Sequence, residues 1–124
     1  MGLSSTDAKP AGVSLTNAYS AIRTWYQDHV DQAQSCGGNY GRNSVALIQA
    51  LPPASALSDI EIIAVLREVI VGYLEWAYHK DDGRYKMAAY AEAALETLGH
   101  SYFLASEETD LLKTSILWPY LTKR

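Results

Sequence analysis

The chain has 124 residues, 48% of them apolar and 19% charged, which is ordinary for one globular domain with a core of its own. Ten Lys and Arg against fourteen Asp and Glu give a net charge of −4 with no basic cluster, so binding nucleic acid through a broad cationic face is disfavoured. Cys36 is the only cysteine, which excludes an intrachain disulfide and fits a reducing compartment; a cytoplasmic location is expected.

Residues 1–13 are rich in Ser, Ala and Gly and contain Pro10, and read as a flexible N-terminal arm ahead of a helical domain over 14–124. No signal peptide is visible. The start Met1-Gly2-Leu3-Ser4-Ser5-Thr6 formally fits an N-myristoylation pattern, against the plainer reading of a leader. A first helix is predicted from Ser14, which can cap it, to Gln34, because Leu15, Ala18, Tyr19, Ile22, Tyr26, His29, Val30 and Ala33 recur at helical spacing. Gly37, Gly38 and Gly41 stop it. A short second helix, Val45 to Leu51, is capped by Asn43 or Ser44 and ended by Pro52 and Pro53.

Ser58-Asp59-Ile60-Glu61 has the pattern of a capping box and opens a third helix expected to reach His79. Glu61, Glu68, Gly72, Glu75 and His79 share one stripe of it, and most other positions are apolar. Such a helix must be covered on several sides, so it is the centre of a bundle or one side of a subunit interface. Its charges argue against a membrane span. The turn Lys80-Asp81-Asp82-Gly83-Arg84 makes an antiparallel hairpin with a fourth helix, Tyr85 to about Ala105. Ala88, Ala91, Ala94, Leu95, Leu98 and Tyr102 lie on its inner side, and Lys86, Glu92, Glu96 and His100 outside. Ser106 is expected to cap a last helix through Ile116 and Leu117, with Glu107, Glu108 and Asp110 in its first turn, and Pro119 to end or kink it. The fold class is therefore all-α: a single-domain bundle of four to five helices around a central apolar helix.

Several groups of residues are candidates for chemistry. Glu92, Glu96 and His100 step by four along one face, and Glu75 and His79 repeat the step. Di-iron bundles use Glu-x-x-His, a three-residue step that this chain lacks, so a solvated face is the plainer reading and no metal is expected. Glu61, Glu68 and Glu75 are seven apart, about 10 Å along the axis, too far to share one Mg²⁺ ion. The close acidic pair Glu107 and Asp110 is explained by its place in a first helical turn. The loop from Gly37 to Ser44, with Arg42, could hold an anion but is not a P-loop. Cys36 and His29 could meet, yet Asp28 and Asp31 beside the histidine disfavour a thiolate. Arg67 falls on the apolar side of the third helix and must snorkel or be paired, with a carboxylate of another helix or with a carboxylate or phosphate of a ligand or partner.

Nine of the thirteen aromatic residues are tyrosines and one, Phe103, is a phenylalanine. Tyr and Trp suit half-buried walls and contact surfaces, so Trp25, Tyr26, Trp76, Tyr78, Tyr102, Trp118 and Tyr120 join Arg67 as interaction candidates. The expected function is a non-enzymatic interaction module (an adaptor, inhibitor or immunity-type binder) without a cofactor. Its partner is another protein, with a homodimer expected. The alternative is a bundle, enzymatic or not, that binds a small ligand or metal through Arg67 or the Glu92, Glu96 and His100 face.

Overall fold

The computed structural model describes residues 12–28, 50–72, 84–101 and 103–121. Four α-helices are described in chain order: α1 (Leu15–Asp28), α2 (Asp59–Gly72), α3 (Arg84–Leu98) and α4 (Ser106–Leu112). A 3₁₀ turn, Ala54–Ala56, precedes α2, and another, Trp118–Tyr120, follows α4. No strand occurs among the described residues, and the architecture is an all-α four-helix bundle.

α1 starts where expected. Ser14 Oγ accepts the Asn17 amide at 3.1 Å, and its carbonyl accepts that of Ala18 at 3.0 Å. The helix buries Ala18, Tyr19 and Ile22, with Leu15, Trp25 and Tyr26 partly covered around them. The stretch after Asp28, including the glycine loop, His29, Cys36 and most of the short second helix, lies outside the described residues. Ala50 is helical and Leu51 to Pro53 are not, as the prolines require.

The capping box opening α2 is present in full. The Ser58 amide donates to Glu61 Oε1 at 2.9 Å, and the Glu61 amide donates back to Ser58 Oγ at 3.4 Å. All ten residues from Ile62 to Val71 are buried, two of them charged. α2 is thus the central helix, packed against α1, α3 and α4. One chain covers this whole stretch, so α2 needs no second subunit to bury it. The expected continuation of this helix to His79 and the expected turn before Arg84 fall outside the described residues.

α3 presents Ala88, Ala91, Ala94 and Leu95 to α1 and α2, as its alanine pattern indicates, and buries Met87, Ala89 and Ala93 as well. It ends at Leu98, seven residues before the expected Ala105. Gly99 takes φ +78°, its amide donates to the Glu96 carbonyl at 3.0 Å, and the His100 amide donates to Leu95 at 2.9 Å. These two bonds make a Schellman cap, which only a residue tolerant of left-handed backbone closes without strain. Two expectations fall with it. Leu98 is 51% exposed instead of inner, and His100 is no longer on the helix.

α4 is also shorter than expected. Its N-cap is Ala105, not Ser106, and the helix stops at Leu112, so Ile116 and Leu117 are outside it. The Glu108 carboxylate supplies the cap by accepting the Ala105 amide at 2.9 Å. Leu112 and Leu121 form a small second core with Ala64, while Leu117 joins the main one. Leu104, six residues past α3, packs at both, beside Ile60 and Ala64 in the first half of α2. This places the chain leaving α3 at the start of α2, as an antiparallel α2–α3 pair requires.

Candidate functional site

Several polar groups with defined geometry lie where loops meet the bundle. On α1, Tyr19 is fully buried, and its hydroxyl donates to the Pro52 carbonyl at 2.6 Å. One turn on, Arg23 Nε donates to the Leu51 carbonyl at 3.0 Å. Carbonyls left unpaired where the prolines break the helix are satisfied by side chains of α1. Burial pushes the Tyr19 phenol up to about 12, against the opposing pull of the Arg23 charge. Neither contact was named from the sequence. The residues are 33 and 28 apart, and no local pattern links them.

Glu61 is a junction. Besides the capping box, its Oε2 accepts the Ser115 hydroxyl at 2.6 Å, and Ser115 Oγ accepts the Leu117 amide at 3.1 Å. These bonds, that from Ser115 foremost, hold the Glu61 carboxyl below its ordinary value. A second junction joins His100 to Glu108, Nε2 to Oε2 at 2.6 Å, while His100 Nδ1 contacts the Ser101 carbonyl. Burial opposes the charged imidazole, but the Glu108 and Ser101 hydrogen bonds and the Glu108 charge outweigh it and raise its pKa. Glu108 is lowered, first by the Ala105 amide and then by His100.

Arg67 is 6% exposed and Glu68 8%. The pair is joined Nη1 to Oε2 at 3.1 Å, and Arg67 Nε is buried with no hydrogen-bond partner. The expectation of a partner on another helix is corrected by this geometry: Arg67 pairs with the next residue of its own helix. Positions about 100° apart on the helix circumference both point inward here, because α2 is covered on several sides. For the same reason Glu68 is not part of a solvated stripe.

The metal-ligand step is broken. Gly99 ends α3 before His100, whose ring pairs with Glu108 of α4, so His100 does not continue the helical step of Glu92 and Glu96. Among the described residues no group of three or more His, Cys, Asp or Glu could hold a metal ion. The first turn of α4 holds Glu107 and Glu108 but not the expected Asp110, because the helix starts at Ser106; Asp110 forms an exposed ion pair with Lys113 at 3.1 Å.

Four of the aromatic candidates are described. Trp25 and Tyr26 meet edge to face at 5.0 Å and both lean on the main core. Tyr120 packs there too, and Trp118 on the smaller core. All four are half-buried. Trp76, Tyr78 and Tyr102 lie outside the described residues, as do Glu75 and His79. Among the described residues the exposed large apolar side chains are Leu98, Phe103, Leu111 and Ile116, at 51%, 67%, 63% and 72%. None of these is among the contact residues expected from the sequence: Leu98 was expected on the inner side of the fourth helix and Ile116 within the last one. Among the described residues no helix is long and apolar enough to cross a membrane. No family model, curated protein or solved structure matches this chain.

Proposed function

We propose that the chain is a non-enzymatic protein-interaction module, an adaptor, inhibitor or immunity-type binder. Its contact surface would combine half-buried Trp and Tyr with acidic helix faces and exposed apolar side chains. One observation carries the reading: the exposed large apolar residues of the described chain all fall between Leu98 and Ile116. Scattered exposed apolar residues are ordinary, whereas a contiguous apolar patch marks a contact surface, and their confinement to one segment supports such a patch here. The net charge of −4 and the absence of a metal-ligand group among the described residues agree with it. The partner is another protein, and the first such partner to test is a second copy of the chain.

The test is site-specific photocrosslinking in the native host. A photoreactive residue at position 111 or 116 should give a discrete protein adduct. The same residue at Ser20, on the exposed side of α1, should not. Equal labelling from all three positions would remove the proposal. The mass of the adduct separates a homodimer from a foreign partner.

The orphaned Nε of Arg67 favours one second reading, a small carboxylate or phosphate ligand bound within the bundle. Such a ligand would raise the melting temperature in phosphate or acetate at constant ionic strength, and Arg67→Met would abolish the rise. Identical melting in chloride, acetate and phosphate would leave Arg67 a structural residue.

A further inference from the structure

His100 stands between two hydrogen-bond acceptors. Its Nε2 meets a Glu108 carboxylate oxygen at 2.6 Å, and its Nδ1 meets the carbonyl of Ser101. A neutral imidazole carries one N–H, so one of its two nitrogens would turn a lone pair towards an acceptor. The imidazolium has two N–H groups and satisfies both. The site is built for the protonated ring.

The placement of this ring gives the proton a mechanical role. His100 directly follows Gly99, the left-handed residue that ends α3, and Glu108 is in the first turn of α4. Glu108 also caps α4 through the Ala105 amide, so one carboxylate binds the histidine and closes the helix start. α4 has only seven residues, too few to hold a helix by itself, and depends on such contacts. We propose that His100 and Glu108 form a proton-dependent latch that fastens the start of α4 and the loop carrying Phe103 to the end of α3.

The rest of the C-terminal segment is held by other means. Leu112, Leu117 and Leu121 are buried, and Ser115 is tied to Glu61. Release of the latch therefore loosens residues 103–110, whose core contact is Leu104, and leaves the anchor beyond them in place. Glu108 of α4 is the charged group acting on the ring. On the same helix Glu107 is exposed and Asp110 is paired with Lys113. On α3 the last carboxylate, Glu96, is exposed, and on α2 Glu61 is engaged by Ser58 and Ser115.

The sign follows from both partners. His100 is raised above its ordinary 6.5, so its contribution is complete below 6.5 and is lost as pH rises through the raised value. Glu108 is lowered from 4.5, so its contribution is complete above 4.5 and is lost as pH falls through the lowered value. The latch is fully closed between 4.5 and 6.5 and opens on the alkaline side of His100. It does so whether or not the apolar residues nearby bind a partner.

Two measurements on the whole chain test the latch. Imidazole NMR titration from about pH 5 to about pH 8, the range where histidine titrates, should place the His100 midpoint above 6.5. Glu108→Gln should return it to 6.5 or below. Amide exchange, corrected for the intrinsic pH dependence, should show protection over residues 103–110 falling through that midpoint while α1 and α2 stay protected. A midpoint raised by one unit predicts a loss of up to about tenfold. Glu108→Gln and His100→Gln should both flatten the response. A wild-type midpoint at or below 6.5, or protection at 103–110 that ignores the midpoint, overturns the proposal without recourse to any variant.

Discussion

Tyr19 illustrates how single residues hold this bundle. Its ring is wholly enclosed, yet its hydroxyl reaches the Pro52 carbonyl that the proline break leaves unpaired. Tyr19→Phe keeps the ring and strands that carbonyl, so it should cost about 1 kcal/mol in a urea unfolding curve. The phenol is raised from 10.0 to about 12, so the unfolded chain ionises first as pH climbs and stability falls across that window. The Phe variant should lose less stability than wild type between those values, and equal losses would remove the assignment. Arg67 is the harsher case. Arg67→Met takes the cation from a carboxylate that is 8% exposed, and truncation of one member of a buried pair costs about 3–5 kcal/mol. An unchanged unfolding midpoint would mean that Glu68 is held by other contacts. The capping partner Glu61 was readable because it lies three residues from Ser58; the Pro52 partner of Tyr19 was not, because folding alone brings it near.

Elements are delimited by residues with narrow backbone preferences. Gly99 has nothing within 4 Å of where a Cβ would stand, so the cost of a substitution there is conformational and not steric. Gly99→Ala should lower stability by about 1–2 kcal/mol, and Gly99→Asn by less, because Asn tolerates the left-handed region better. Equal melting temperatures for the two variants would count against the Schellman cap. At the other extreme, Ala91 is fully buried where α3 packs into the bundle. Ala91→Leu should overpack that contact and cost about 1–3 kcal/mol, and a melting curve unchanged by it would place α3 elsewhere. The apolar periodicity of α3 was legible, but it was carried past Gly99 because the aromatic residues beyond look equally apolar. α4 was overextended for a similar reason: Leu117 is buried, yet from a turn and not from a helix.

At the scale of the whole molecule, one chain covers Ile62 to Val71, and this removes the burial argument for a dimer. Any self-association must use the surface, where Leu111 and Ile116 stand at 63% and 72% exposure. Light scattering over a concentration series is expected to show a dimer that Leu111→Asp with Ile116→Asp weakens, while the melting temperature changes little because neither side chain is packed. A single-chain mass at every concentration would reserve that surface for a foreign partner. The sequence alone determined the all-α class, the cap at Ser14, the box at Ser58 and Glu61, the apolar nature of the central helix and the inward alanines of α3. All of these depend on residues within a turn or two of one another, whose geometry the backbone sets. Only the tertiary structure decided that Glu68 is buried with Arg67, that Tyr19 and Arg23 hold the proline corner, and that His100 leaves its helix to meet Glu108. Those outcomes depend on which elements cover which faces, and local spacing carries no information about a neighbour that arrives from another part of the chain.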